Sequence, residues 1–398
     1  MPAIEINDLG SLGLIKDVES HSLPPEAWTT ADNMRFVNDG AERVGGRAQI
    51  FGTPGVAPHF AIPISNSSQT FWLYVSLTKA YVYDGTNHTN ITRQTAAVDV
   101  DYTASNTREW NGTLLGGVPI LNNGVDVPQF WSSLNVATKL AVLTNWPATY
   151  RARVVRAFGP HLVALGVTQG ATVYPHLVLW SHPADPGSIP SSWDTTDATV
   201  DAGQTDLPDV QAGIILDGLP LGGRFYVYKE GSTWRMTKIG GNFIFDFDTF
   251  LETSGILAAR CVTITGDGTR HVVATQDDIL VHNGNSTESI LNKRMRKQIF
   301  NNLDTTNYRN SFMFTNPESN EVWFCYPESG QTNPTRAVIW NYKEGKMGAL
   351  SEAAVNFRNA SSGVIEAASD ATWASVTGTW DTITGPWSQS TRRATPDA

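Results

Sequence analysis

Residues 255–291 read GILAARCVTITGDGTRHVVATQDDILVHNGNSTESIL. Three short apolar runs, 258–265, 271–275 and 279–282, are separated by Asp267-Gly268 and Asp277-Asp278 and closed by Asn283-Gly284. Short β-branched runs bounded by Asp-Gly or Asn-Gly read as strands joined by tight hairpins, whose two central positions favour positive φ. This stretch is therefore most of one small antiparallel sheet.

The pattern recurs along the chain. Glycine turns at Asp84-Gly85, Asn123-Gly124, Gln169-Gly170, Glu230-Gly231, Asn283-Gly284 and Glu344-Gly345 are flanked by strand-like pairs. WLYVSLTKAYVYDG, TLLGGVPILNNG, HLVALGVTQG, RFYVYKEGSTWRMTKIGG and EVWFCYP…RAVIWNYKEG repeat the opening unit. Several short strands per unit, recurring at roughly 40–50 residues, predict an all-β fold, a six-bladed β-propeller, with residues 255–291 as its fifth blade. A pair of β-sandwiches is the structural alternative. The repeats are too degenerate for the WD40 or kelch patterns.

Composition agrees with strands and turns. Of 398 residues, 41% are hydrophobic and only 17% charged, with 34 Gly and 21 Pro to interrupt long helices. The formal net charge of −10 argues against adhesion of the whole molecule to nucleic acid. Two cysteines, Cys261 and Cys325, give neither a disulfide framework nor a zinc pattern and fit buried apolar positions in a reducing compartment. Residues 1–25 hold no apolar run of signal-peptide or membrane-span length, so folding in the cytoplasm is expected.

Three regions follow: an N-terminal arm (1–47), the propeller (48–365) and a Trp-rich tail (366–398). In the arm, Thr29 or Thr30 could cap one turn of helix, and Asn38-Asp39-Gly40 reads as a hairpin turn. Trp28, Met34 and Phe36 read as anchors that pin the arm to the body. Residues 286–303 predict a helix capped by Ser286, with Ile290, Leu291, Met295, Ile299 and Phe300 at helical spacing. That helix would carry Lys293, Arg294, Arg296 and Lys297, a candidate basic contact for phosphate or an acidic neighbour, or else a solvated face. The tail, with Trp373, Trp380 and Trp387, reads as extended.

Catalytic constellations are lacking: no Walker loop, GxSxG, HExxH or metal-spaced Cys/His set occurs, the eight histidines are scattered, and no cofactor is called for. Asp99/Asp101 and Asp246/Asp248 could serve glycosidase or calcium chemistry but read better as turn and edge residues. The stretch 183–223 holds Asp194, Asp197, Asp201, Asp206 and Asp209 and no Lys or Arg through residue 223. It is either a solvated acidic loop or the lining of a channel that DNA traverses without sticking.

WTTADNMRFVNDGAERVGG (28–46) resembles the N-terminal signature of tail hub and nozzle proteins of short-tailed bacteriophages, also called packaged-DNA stabilisation proteins. The matching residues are Trp28, Asn33, Arg35, Phe36, Gly40, Arg43 and Gly45, with one extra residue between Phe36 and Gly40. The resemblance continues through 177–194, 222–241, 278–284, 337–345 and the Trp-Asp tail at 373–387. It implies a β-propeller protomer in a closed homo-oligomeric ring, typically hexameric, below the portal and adaptor of a virion tail. Such a ring extends the DNA channel, retains packaged DNA and anchors tail fibres or spikes. Trp28, Asn33, Arg35, Phe36, Trp373, Trp380 and Trp387 are then candidate subunit or adaptor contacts. The competing reading is a carbohydrate-binding or carbohydrate-cleaving propeller.

Overall fold

The computed structural model describes residues 10–37, 40–46, 49–65, 69–105, 110–208, 213–241, 243–344 and 347–363. Six four-stranded antiparallel sheets follow one another along the chain, each with its strands in sequence order. They form a six-bladed β-propeller. The first strands of the blades, Phe60–Ser65, Asn111–Leu115, Tyr150–Phe158, Ile215–Leu221, Val262–Ile264 and Phe312–Asn316, approach one another across the blade gaps and surround the axis. The apolar faces meet between neighbours: Phe71, Leu73 and Val82 of blade 1 pack with Trp110 and Trp131 of blade 2, and Val163 and Leu165 of blade 3 with Phe225 and Met236 of blade 4. Burying each sheet face against the next removes both faces from water without a second layer.

Blade 5 is the 255–291 stretch. Its strands are Val262–Ile264, His271–Ala274, Ile279–His282 and Thr287–Ser289. The turns differ from the expected hairpin type. Gly268 and Gly284 have φ of 70° and 87°, but Asp267 and Asn283 are not among the positive-φ residues. Side chains hold these turns instead: Asp267 Oδ1 accepts Thr269 N–H at 3.1 Å, and Asn283 Oδ1 accepts Asn285 and Ser286 N–H, both at 2.9 Å. Asx geometry of this kind stabilises a turn with one glycine rather than two left-handed residues.

Ser286 is thus part of the last hairpin of blade 5 and caps no helix. The helix expected over 286–303 is confined to Arg296–Asn302, because 287–289 pairs with the third strand and completes the blade. Ile290, Leu291 and Met295 are buried in an irregular link, where core packing produces the spacing that resembles a helix. Nor do the six glycine turns mark one repeated corner. Gly124, Gly170 and Gly231 follow second strands, whereas Gly85 and Gly284 follow third strands, which scatters their intervals.

The arm forms a strap over blade 6. Leu14 N–H donates to Leu350 O at 2.7 Å and Ile15 N–H to Trp28 O at 2.8 Å. Gly13, at φ 66°, lies so close that a Cβ there would stand 2.6 Å from Leu350 N, so only glycine fits. Met34–Val37 pairs with Gly40–Arg43, and Phe36, 1% exposed, enters the core shared by blades 4, 5 and 6. No helical turn follows Thr29 or Thr30; the chain bends there and enters the strand at Met34. Beyond blade 6 the chain returns to blade 1, where Asn359 Nδ2–H donates to His59 O at 2.9 Å. No strand is shared between the first and last blades among the described residues. No helix of the described residues is long and apolar enough to cross a membrane.

Candidate functional site

A cavity of about 340 Å³ opens where the inner strands converge. Its wall includes Asn111 of blade 2, Arg153 and Arg156 of blade 3, Asp217 of blade 4, Arg260 from the link into blade 5 and Arg309 from the link into blade 6. Asp217 is 1% exposed and holds this wall together. Arg156 grips it with two parallel bonds, Nε–H to Oδ1 and Nη2–H to Oδ2, both 3.0 Å, while Nη1–H reaches Gly112 O at 3.0 Å. Gly218 N–H donates to Oδ1 at 2.8 Å and Arg260 N–H to Oδ2 at 3.1 Å. One carboxylate therefore joins blades 3 and 4 to the link into blade 5, and Arg156 carries the tie on to Gly112 of blade 2. A buried charge is tolerated here because its lone pairs are met by charge-assisted bonds.

Asparagine performs a similar task one step around the ring. Asn111 Oδ1 accepts Val155 N–H at 3.0 Å while its Nδ2–H donates to Arg153 O at 3.0 Å. An amide presents one acceptor and a donor pair, so it imitates a neighbouring strand and satisfies the inner edge of blade 3.

Between blades 4 and 5 lies a buried polar cluster: Tyr228, His271 and His282. The strand register places His271 opposite His282, and Tyr228 Oη lies 2.8 Å from His271 Nδ1 and 2.7 Å from His282 Nε2. His271 Nε2 is 3.1 Å from Pro220 O, an acceptor only, so Nε2 carries the proton and Nδ1 accepts from Tyr228. Tyr228 oxygen then accepts from His282 Nε2–H, which leaves His282 Nδ1 bare; that atom is buried without a partner. Burial pushes His271 down to about 3, with the neighbouring His282 adding to the effect, and pushes His282 down to about 4. Both rings are neutral at pH 7. The cluster was missed because Tyr228 is far from the two histidines in sequence, but a hairpin centred on Gln276-Asp277 already pairs positions 271 and 282.

The residues singled out from the sequence scatter over the molecule. Asp194, Asp197 and Asp201 sit in the exposed loop between the third and fourth strands of blade 3, and Asp206 is exposed on its outermost strand, away from the axial cavity; Asp209 lies outside the described residues. Trp28 packs against Phe36, ring centroids 5.7 Å apart and tilted by 53°. Asn33, at φ 54°, accepts Ala354 N–H through Oδ1 at 2.9 Å, and Arg35 donates to Glu42 at 2.7 Å and Ser319 at 3.1 Å. These four are engaged within the chain, and Phe36 has almost no surface left for another subunit. Trp373, Trp380 and Trp387 lie outside the described residues.

The four cations do not share a helix. Lys293 and Arg294 precede it. Arg294 is 7% exposed and donates to Leu12 O and Gly348 O, both at 2.8 Å, and burial lowers its pKa to about 10. Arg296 pairs with Asp277, and Lys297 is exposed. Asp101 pairs with Lys79 at 2.6 Å and Asp248 with Arg235, so these carboxylates serve as strand and edge ties. Cys261 and Cys325 are buried free thiols, and burial pushes Cys261 up to about 12.

No family model matches the chain, and no curated protein does. Among solved structures it is similar to an extracellular domain from B. thetaiotaomicron (11% identity, 73% of this chain and 34% of that one, TM-score 0.43). It is also similar to PorZ, a surface component of the type-IX secretion system of Porphyromonas gingivalis (9% identity, 77% and 34%, TM-score 0.39). A third is the dihydro-heme d1 dehydrogenase NirN (12% identity, 77% and 58%, TM-score 0.43). The chain spans about a third of the length of the first two.

Proposed function

We propose that this chain is a structural protein of the tail hub or nozzle of a short-tailed bacteriophage. Copies form a closed ring, typically of six, below the portal and adaptor. The ring extends the channel through which DNA passes without sequence readout, retains packaged DNA and anchors tail fibres or spikes. Assembly takes place in the cytoplasm of the host bacterium.

The observation that carries this reading is the behaviour of the signature residues. Trp28, Asn33, Arg35 and Phe36 act together in one strap, each with its own partner on blade 6 or within the strap. Their spacing thus has a geometric purpose, which supports the resemblance as more than coincidence of composition. The exposed aspartates of blade 3 fit a wall that repels phosphate, since no counterions are released where like charges face each other.

The test is the oligomeric state of purified protein and its presence in particles. A closed cyclic oligomer at the tail of a virion is expected, as a head-to-tail interface with the right rotation must close. A stable monomer over a wide concentration range, absent from any particle, sinks the reading. Replacing Asp194, Asp197, Asp201 and Asp206 with lysine is expected to slow DNA exit from particles.

A second reading rests on a cleft at blade 1. Phe51 lies against Trp72 and Tyr83 at 5.4 and 4.8 Å, and Tyr83 against His88 at 4.7 Å, around a space of about 500 Å³. Aromatic rings with a few polar groups suit a sugar. Binding on a glycan array, lost in Trp72→Ala, would favour this reading.

A further inference from the structure

We infer that the cleft at blade 1 is the docking site of the chain's own Trp-rich tail, with Trp373 seated among Phe51, Trp72 and Tyr83. This docking does not depend on the nozzle reading, because one protomer supplies both the cleft and the tail.

The seam between blades 6 and 1 differs from the other five, each of which is filled by a core to which both blades contribute. In blade 1, Phe71, Leu73 and Val75 face blade 2, and Trp72 and Tyr74 alternate with them onto the opposite face. No core joins that face to blade 6 among the described residues. Phe312 and Phe314 of blade 6 are packed instead by Phe357 and Ala360 of the returning chain. On the blade 1 side a space of about 500 Å³ is left.

The polar groups of this cleft are bonded within its wall. His88 Nε2 is 2.6 Å from Phe51 O, an acceptor only, so Nε2 donates and Nδ1 accepts from Tyr74 Oη at 2.8 Å. The Tyr74 oxygen in turn accepts Gly55 N–H at 3.1 Å. What faces an occupant is ring surface, with one donor left over: Trp72 is 8% exposed, and its Nε1–H is buried with no partner among the described residues. Ring faces and a single donor suit an indole with a neighbouring peptide carbonyl better than a polyhydroxylated ligand.

The course of the chain selects the occupant. Phe357 packs on Phe312 with centroids 5.9 Å apart, and Ser362 Oγ–H donates to Thr315 O of blade 6. A Cβ on Gly363 would stand 2.6 Å from the Trp72 ring. The described residues therefore end pressed against the cleft wall. Residues 364–372 reach about 30 Å when extended, enough to return Trp373 to the rings. A tether this short holds the indole at roughly millimolar effective concentration.

The test compares the full chain with its full-length Trp373→Ala variant by amide hydrogen exchange. In the variant, exchange in Phe60–Ser65 and Thr70–Val75 is expected to rise about tenfold, while Tyr150–Phe158 of blade 3 keeps the parent rate. A fluorescent peptide of residues 364–380 is expected to bind the variant and to bind the parent about tenfold more weakly, because the parent's cleft is filled. That readout serves if the variant exchanges faster throughout. Phe51→Ala, which removes a half-buried ring, is expected to abolish peptide binding in the Trp373→Ala background. Equal exchange in parent and variant, or a peptide that binds both alike, overturns the proposal. Protection of blade 1 that vanishes on dilution assigns the occupant to another copy and overturns it too. A glycan that binds the parent at this cleft as tightly as the variant does the same, since the cleft is then open.

Discussion

Aspartate does opposite work at the axis and at the rim of this propeller. At the axis, Asp217 is buried and bonded to Arg156, Gly218 and Arg260, so that a single carboxylate ties blades 3 and 4 to the link into blade 5. At the rim of blade 3, Asp194 accepts the N–H and O–H of Thr196 at 2.9 and 2.7 Å, and Asp197 those of Thr199 at 2.9 and 2.6 Å. Those bonds, the threonine hydroxyls first, hold both rim carboxyls below the usual carboxylate range, but each ties only its own turn. The difference lies in solvent. Water can replace a rim partner at little loss, whereas nothing replaces a partner of a buried charge.

Acid separates the two regions most strongly. The histidines between blades 4 and 5 have folded pKa values of about 3 and about 4, below the unfolded value of about 6.5. Their contribution is complete above pH 6.5. As pH falls from there toward about 4, the unfolded chain binds protons that the fold refuses, and stability drops by up to about 1.4 kcal/mol per pH unit for each histidine. The rim carboxyls keep their contribution until pH falls to their lower range. Denaturant melts across pH 4–8 are expected to show this slope, and His282→Gln is expected to flatten it; an unchanged slope breaks the comparison.

Asp217→Ala comes next. It leaves Arg156 buried without its partner, and a loss of about 3–5 kcal/mol is expected in the same melts. Asn33→Gly, which keeps the left-handed backbone but removes the acceptor for Ala354 N–H, should lose about 1 kcal/mol. Last, Asp194→Ala and Asp197→Ala are expected to leave the unfolding midpoint unchanged within error. A large shift there would mean that the rim loop ties more than its own turn.

Much of the fold was legible because turns are local. Asp267, Asp277 and Asn283 announce the hairpins of blade 5 by chemistry confined to a few residues, and the strands between them must then pair. The fourth strand, Thr287–Ser289, was hidden because three polar residues carry no alternation, while the buried residues after it imitate a helical stripe. The axial cavity was not legible at all. Arg156, Arg260 and Arg309 belong to separate blades and links, and only closure of the ring brings them together. Arg153 and Arg156, close together in the first strand of blade 3, were the one local hint.

The strap carries a consequence for the order of events in folding. Gly13 and Leu14 lie against Leu350, and Lys16 pairs with Glu352, so the N-terminal segment meets its partners only after the sixth blade exists. During synthesis the five preceding blades emerge first, each able to pair its own neighbouring strands. Leu14, Trp28 and Phe36 must wait through that interval with their apolar surface uncovered. Docking of the first described segment onto Leu350 and Glu352 therefore cannot precede the synthesis of blade 6.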